Sequence, residues 1–309
     1  MTKYVIKRLL GIIPTLLIII TVSFFIVRLA PGGPFDGERN LPETIKRNIE
    51  AKYHFDEPLL MQYGRYMFDI LRGDLGPSYR YKDHDVNFYI FESLPNSMIL
   101  GVIAISISVL FGISSGILAA VKQNTWADYL GMAFAIVGIS VPLFVIGPVL
   151  QYVFAVKLQW VPTSGWYTVD GNWITIILPA ITLSAANFGT IARLTRSSML
   201  ETLRSDYIRT AKAKGMKSST ILFKHALKGT LLPIVSYLGP AFAGVVTGSV
   251  VVESVFRIPG LGKFFVQSSF NRDYTLIVGV VIVYSVILIF MNFIVDILYS
   301  LLDPRITYK

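Results

Sequence analysis

Apolar and polar positions in this chain do not alternate residue by residue; they segregate into long blocks. Windows without a single charge run at 9–27, 93–121, 129–156, 171–192, 229–252 and 274–295. Each is long enough to cross a bilayer as a helix, which takes about 20 residues. Strands of a membrane barrel are about ten residues long and alternate in polarity, unlike these windows. The pattern predicts an all-α integral membrane protein with six transmembrane helices. A further uncharged stretch, 158–169, carries Trp160, Pro162, Gly165 and Trp166 and reads as an interfacial loop with aromatic anchors, not a span.

The first window follows Lys3, Lys7 and Arg8, an arrangement shared with secretion signals. No small-x-small site follows it, and Arg28 and Pro31 stand where cleavage would occur, so the segment is expected to stay as the first span. Overall composition agrees with a membrane protein: 53% of the 309 residues are hydrophobic and 15% charged, against about 25% charged in soluble domains. The chain has no cysteine, which excludes disulfides, thiol catalysis and Cys-ligated metal.

With six spans both termini fall on one side. That side collects Lys3, Lys7, Arg8, Lys122, the basic residues of 193–228, Arg305 and Lys309, whereas the short connections opposite hold Lys157, Arg257, Lys263 and Arg272. The basic side is expected to be cytoplasmic. Topology then accounts for much of the +9 net charge, and a nucleic-acid partner is not needed to explain it.

Three parts follow: 1–30 with the first span, an external segment 31–97, and a five-helix core 98–309 with an inner loop at 193–228. In the external segment, which has 8 basic and 11 acidic residues, Asn40 and Pro42 can open a helix carrying Ile45, Ile49 and Tyr53 on one face. Asp56 and Pro58 can open a second, with Leu59, Tyr63, Met67, Ile70 and Leu71 as its apolar stripe and Gly73 as its stop. The result is a small helical cap, either simply solvated or a docking surface for an extracytoplasmic partner. In the inner loop, Asp206 can cap a helix Tyr207–Lys214, Gly215 can end it, and Ser218 can cap the next through Lys228. A merely topological loop resting on anionic lipid would not need such punctuation.

Catalytic chemistry finds little support. Gly112-Ile113-Ser114-Ser115-Gly116 has the spacing of a serine-hydrolase elbow, but it lies mid-helix, and His54, His84 and His225 all lie outside the windows. The glycines four apart read better as a close-packing face. Neither Gly260-Leu261-Gly262-Lys263 nor Lys214-Gly215 is a phosphate-binding loop, and no zinc-protease motif occurs. The chain is therefore expected to be no enzyme and to bind no cofactor or metal itself. Arg28, Glu253 and Asp296 fall at span ends, where snorkelling to the interface is expected instead of a proton relay. Ser106, Ser108, Ser184, Asn187, Thr190, Ser236, Tyr237, Thr247, Ser249 and Asn292 suit either interhelical hydrogen bonds or the wall of an aqueous passage.

Tyr207-Ile208-Arg209-Thr210-Ala211-Lys212-Ala213-Lys214-Gly215 resembles the inner-loop motif of the transmembrane permeases of bacterial ABC importers, in the peptide and nickel uptake group. Phe25–Pro34, Gly73–Ser78, Glu92–Ser97, Glu253–Gly262, Asn271–Tyr274 and Asp296–Arg305 match the same family, and Asn48–Tyr53 and Tyr79–Asp83 look like its oligopeptide branch. Arg209 and Thr210 replace the Glu-Ala common in ABC importers generally, and Leu232-Pro233 lies further past Gly215 than usual; both departures resemble the peptide group itself.

The resemblance implies a type I importer permease fold in the bacterial cytoplasmic membrane and half of a passage for oligopeptides. It also implies coupling to an ATPase through Arg209, Thr210, Ala211, Lys212, Ala213, Lys214 and Gly215. Arg209, Lys212 and Lys214 would seat by charge, and Ala211, Ala213 and Gly215 would allow close approach. Implied partners are a second homologous permease, two cytoplasmic ATPases that carry ATP and magnesium, and an external peptide-binding protein at 31–97. A dipeptide or nickel permease of the same family stays open. An ion-coupled secondary transporter would need a midplane ion site and internal repeats with broken helices, although Pro142, Pro148, Pro179, Pro233 and Pro240 can kink spans.

Overall fold

A computed structural model describes residues 2–29, 54–81, 84–246 and 249–302. The expected helix near Asn40 lies outside them. Helices form throughout the long apolar windows of the sequence, because backbone groups in hydrocarbon have no water and must bond within their own segment. They are α1 (Thr2–Leu29), α2 (Leu59–Leu71), α3 (Val86–Val121), α4 (Trp126–Ser140), α5 (Leu143–Leu150), a short α6 (Tyr167–Asp170) and α7 (Ile177–Leu203). After these come α8 (Asp206–Ala213), α9 (Ser218–Thr220), α10 (Leu227–Val246), α11 (Val250–Phe256), α12 (Gly262–Asn271) and α13 (Tyr274–Leu302). Among the described residues the only β feature is an isolated bridge between Pro77 and Asp85.

Five segments are long and apolar enough to span: Leu10–Leu29, Val86–Val121, Trp173–Leu203, Ser218–Val246 and Tyr274–Leu298. The sixth is broken. Instead of one helix over 129–156, α4 and the run Leu143–Lys157 meet at 112°. Pro142 explains the break: it supplies no N–H, and it drives Val141 into extended backbone (ψ 123°). The fifth window also departs from a single helix, since α10 ends at Val246 and α11 starts afresh behind Ser249, whose hydroxyl accepts from the Val252 N–H at 3.3 Å.

The chain divides into two compact units. The first comprises Met1–Pro95 and Gly260–Ile287. Its organising residue is Asp273, fully buried, the N-cap of α13 through the Leu276 N–H at 3.3 Å. The same carboxylate accepts from the Ser78 hydroxyl and from the Tyr79 N–H at 3.2 Å, while Arg80 Nε donates to the Asn271 carbonyl at 3.1 Å. Two stretches almost 200 residues apart in sequence, Gly73–Ser78 and Asn271–Tyr274, are thus one structural corner. Beside it Val86, Ile90, Leu261, Phe264, Leu276 and Val280 form an apolar core.

The second unit comprises Asn96–Pro259 and Leu288–Lys309. Here α7 is the hub, and glycines let its neighbours approach. A Cβ at Gly112 would lie 2.9 Å from Ile191 Cγ2, and one at Gly116 would lie 2.6 Å from the Ala192 carbonyl oxygen. Gly138 on α4 meets the Ala185 carbonyl, and Gly189 on α7 meets the Ala135 carbonyl, so α4 and α7 are in reciprocal backbone contact. The serine-hydrolase spacing in α3 is therefore a packing face, and Ser114 donates only to the Leu110 carbonyl. Trp166, expected at an interface, is instead core: it is 1% exposed and its indole donates to Asn96 Oδ1 at 2.8 Å. Trp160, from the same loop, is exposed as expected.

Gly189→Ala should destabilise by about 1–3 kcal/mol through overpacking, while Gly11→Ala, where nothing lies within 4 Å of the new Cβ, should be neutral or stabilising. Thermal unfolding of the two purified variants in detergent, followed by size-exclusion chromatography, checks the ranking; equal melting temperatures would refute it.

Candidate functional site

The inner segment is built as a short helix held between two sharp reversals. Helix α7 ends at Leu203, and Ser205 (φ −69°, ψ 155°) redirects the chain into α8. The helix starts at Asp206, one residue earlier than expected. Asp206 is not its cap: Ser205 holds the N-cap position, and its hydroxyl donates back to the Thr202 carbonyl at 2.6 Å. Asp206 contributes a favourable charge to the first turn and an exposed ion pair with Arg209 at 3.3 Å, of little energetic weight. Ser218 likewise begins the next helix instead of capping it, with Lys217 at the N-cap.

The stop at Gly215 is as the sequence suggests, and the structure supplies its geometry. Gly215 sits at φ +72°, its N–H bonded to the Lys212 carbonyl at 3.0 Å, while the Met216 N–H reaches the Ala211 carbonyl at 3.3 Å. These two bonds form a Schellman cap, with Met216 packed on the same apolar cluster as Ala211. A side chain at 215 would meet no atom but would be strained by the left-handed backbone.

Helix α8 has two faces. Ile208, fully buried, and Ala211, 8% exposed, enter a cluster with Ala120, Met199, Ile221 and Ala226. Burial of Ile208 alone is worth about 2–3 kcal/mol. That cluster draws on the end of α3, on α7, and on a π-helical segment, Ile221–Ala226, that leads into α10. Arg209, Thr210, Lys212, Ala213, Lys214 and Gly215 all remain exposed. Of the seven residues singled out from the sequence, six therefore share the outward surface. Ala211 faces inward, where its small side chain joins the apolar cluster. The outward surface is a cationic, sterically open ridge suited to an acidic groove.

One ion pair between helices went unread in the sequence. Asp128, in the first turn of α4 and 2% exposed, receives Arg196 of α7 in a fork: Nε to Oδ1 at 2.6 Å and Nη2 to Oδ2 at 2.7 Å. The Asn124 N–H bonds the same carboxylate at 3.0 Å. Asp128 had marked only the edge of an uncharged window. The available signal was that it is the sole carboxylate in the connection 122–128, facing a strongly basic inner side.

The ionisable span-end residues also need revision. Glu253 does not snorkel: it is 1% exposed and accepts from the Ser97 hydroxyl at 2.7 Å, because α11 turns it into the unit interior. Arg28 is half-buried, its guanidinium 4.3 Å from the Phe55 ring centroid, with a 3.4 Å bond to the Tyr79 hydroxyl. Asp296 is half-buried on α13. Some of the polar span residues join helices, and others bond only within their own helix. Thr190 and Ser106 bond carbonyls one turn back, Ser108 also reaches the Ser184 carbonyl at 3.0 Å, and the Tyr237 hydroxyl donates to Asn187 Oδ1 at 2.6 Å between α10 and α7. Among the described residues no group of three or more His, Asp or Glu is placed to hold a metal. An apolar groove of about 520 Å³ between α3, α4, α5 and α7, with Phe111, Phe134 and Val145 in its wall, has Ser184 as its one polar lining residue.

Comparison with known proteins adds an independent line. The family described as binding-protein-dependent transport system inner membrane component matches residues 112–308, and the N-terminal component of the same systems matches residues 1–101. The oligopeptide transport system permease protein of Salmonella typhimurium is 49% identical over 308 residues, covering 100% of both chains. Its counterpart in Haemophilus influenzae has the same identity and coverage. The dipeptide transport system permease protein of Bacillus subtilis is 44% identical over 306 residues, covering 99% of this chain and 98% of that protein. Among solved structures, the inward-facing MetNI methionine ABC transporter is similar in fold, with a TM-score of 0.58 at 16% identity, covering 70% of this chain and 97% of that one.

Asp128→Ala should cost about 3 kcal/mol, because it strands the half-buried Arg196 charge, while Asp128→Ala with Arg196→Met should recover a substantial part of the loss. A double-mutant cycle on thermal unfolding measures this; full additivity of the two changes would show that the pair is not coupled.

Proposed function

The chain belongs to the binding-protein-dependent transport system inner membrane component family, and on that premise we propose that it is one permease subunit of an ATP-driven ABC importer carrying oligopeptides across the bacterial cytoplasmic membrane. It forms half of the passage, the other half coming from a second homologous permease. Two cytoplasmic ATPases hold ATP and magnesium, this chain binding neither, and an external binding protein delivers peptide at segment 31–97. Both termini are cytoplasmic, following the distribution of Lys and Arg. The preference for oligopeptides is supported by 49% identity to the oligopeptide permeases against 44% to a dipeptide permease, each over nearly the whole chain.

The observation that carries the mechanism is the anchoring of α8. Its buried Ile208 and Ala211 share one cluster with the inner ends of three membrane segments. A displacement imposed on the cationic ridge is passed to α3, α7 and α10 together. The Schellman stop at Gly215 keeps the ridge from unravelling into the next helix, so force reaches the cluster instead of being lost in a frayed turn. ATPase closure then tips one end of the bundle as a rigid body, and the passage opens to one side at a time. Selection among peptides rests mainly with the external binding protein.

The test is peptide uptake into vesicles holding the complete transporter. Paired Arg209→Glu and Lys212→Glu substitutions should leave membrane insertion intact, weaken co-purification of the ATPases and reduce ATP-driven uptake at least tenfold. Gly215→Asp, strained by about 1–2 kcal/mol at positive φ, should lower uptake with a smaller effect on insertion. Unchanged uptake in both variants would refute the coupling role. Competition by dipeptides as strong as that by longer peptides would assign the substrate to the dipeptide class.

A further inference from the structure

Helix α2 belongs to the segment that the sequence places outside the membrane, yet its contacts lie at membrane depth. The apolar stretch of α1 ends at Leu29, and Thr21 precedes that end by eight residues. At a rise of about 1.5 Å per residue this is about 12 Å below the end, within a half-core about 15 Å thick. The Thr21 hydroxyl shares a 2.7 Å hydrogen bond with the Tyr63 hydroxyl of α2. Tyr63 also packs on Phe24 and Phe25, and Tyr66 stacks on Phe24, with ring centroids 5.5 Å apart in each pair. A second ruler agrees. Met67 and Ile70 pack on a cluster containing Ile20 and Ile282, and Ile282 lies eight residues inside α13 from Tyr274, again about 12 Å.

The outward surface of α2 has matching chemistry. At about 100° per residue, Leu60, Leu71, Gly64, Phe68 and Met61 follow one another around one arc, with Leu60 76% and Leu71 81% exposed. Arg72 and Arg65 border that arc, followed by Asp69. Arg72 lies 4.0 Å from the Phe68 ring centroid, and Arg65 turns away to Glu57 at 2.7 Å. An apolar arc with arginines along one edge is the pattern of a helix lying in a leaflet, its cations raised to the headgroups. On α1 Val22, close to the depth of Thr21, is also uncovered, as are Ile26 and Leu29 nearer the end of the span, so the lipid that surrounds this span is continuous with the surface of α2.

We propose that α2 is immersed in the outer leaflet, with Leu60, Met61, Phe68 and Leu71 against phospholipid acyl chains and Arg65 and Arg72 at the headgroups. The proposal rests on α1 spanning the membrane in the orientation given above, and it leaves docking of a binding protein to other parts of segment 31–97. Because the chain has no cysteine, single nitroxide labels can be placed at will. The variants Leu60→Cys, Phe68→Cys, Leu71→Cys and Asp69→Cys, with Val22→Cys as the lipid reference, are labelled in the complete transporter. The transporter is placed in nanodiscs of phosphatidylethanolamine and phosphatidylglycerol, and collision with oxygen is compared with collision with a water-soluble nickel chelate. Labels at 60, 68 and 71 should favour oxygen several-fold, as at 22, while 69 should favour the chelate. If 60, 68 and 71 follow 69, the helix is in water; if they are shielded from both, a protein covers it; either result overturns the proposal while Val22 still reports lipid. A water-like signal at Val22 would remove the span assignment itself, and the proposal with it.

Discussion

Everything in the larger unit depends on how closely other helices can approach α7. In hydrocarbon the hydrophobic effect does not draw helices together, because lipid tails are as apolar as leucine; contact between backbones must do so instead. Gly112, Gly116, Gly138 and Gly189 remove the side chains that would hold α3 and α4 away from α7, and at Gly138 and Gly189 the partner atom is a backbone carbonyl. Gly239 does the same for α10 against Asn292 and Val295 of α13. Directional polar contacts then fix the pairing that close approach permits: Tyr237 to Asn187 between α10 and α7, and Asp128 to Arg196 between α4 and α7.

The cationic ridge of α8 inherits its position from this hub. Met199, near the inner end of α7, is part of the cluster into which Ile208 and Ala211 insert, and the Asp128–Arg196 pair lies one turn further along the same helix. A segment that is short, basic and mostly exposed would not hold a fixed attitude by propensity alone, since isolated helices of this length are unstable in water. Tertiary anchoring and a Schellman stop provide what propensity lacks. In the smaller unit Asp273 plays the corresponding part, joining the start of α13 to the loop that ends at Tyr79.

Much of this was legible in the sequence because membrane insertion is a strong constraint read over long windows. The number of spans, the helix–glycine–helix inner loop and the packing role of Gly112 and Gly116 all follow from composition and spacing, and the family motifs supplied the kind of machine. What escaped was set by single residues inside uniform stretches. Pro142 was among the prolines able to kink a span, but the apolar run over 129–156 continues smoothly through it, so hydropathy gave no measure of a bend as large as 112°. Glu253 stood at the edge of a window, where a carboxylate normally reaches water; only the fresh start of the chain at Ser249 turns it inward. Ala211 was grouped with its exposed neighbours because they form one motif, whereas helix periodicity puts it on the face of Ile208, three residues before. Asp128 and Arg196 are 68 positions apart, beyond the reach of any local pattern.

The small apolar socket beneath α8 has a mechanical consequence. Ile208 and Ala211 meet Ala120, Met199, Ile221 and Ala226 through contacts that have no preferred direction. Such a seat depends on shape and buried area, where a forked ion pair would depend on the alignment of two charged groups. The exposed cations of α8 therefore take no part in seating the helix against the bundle.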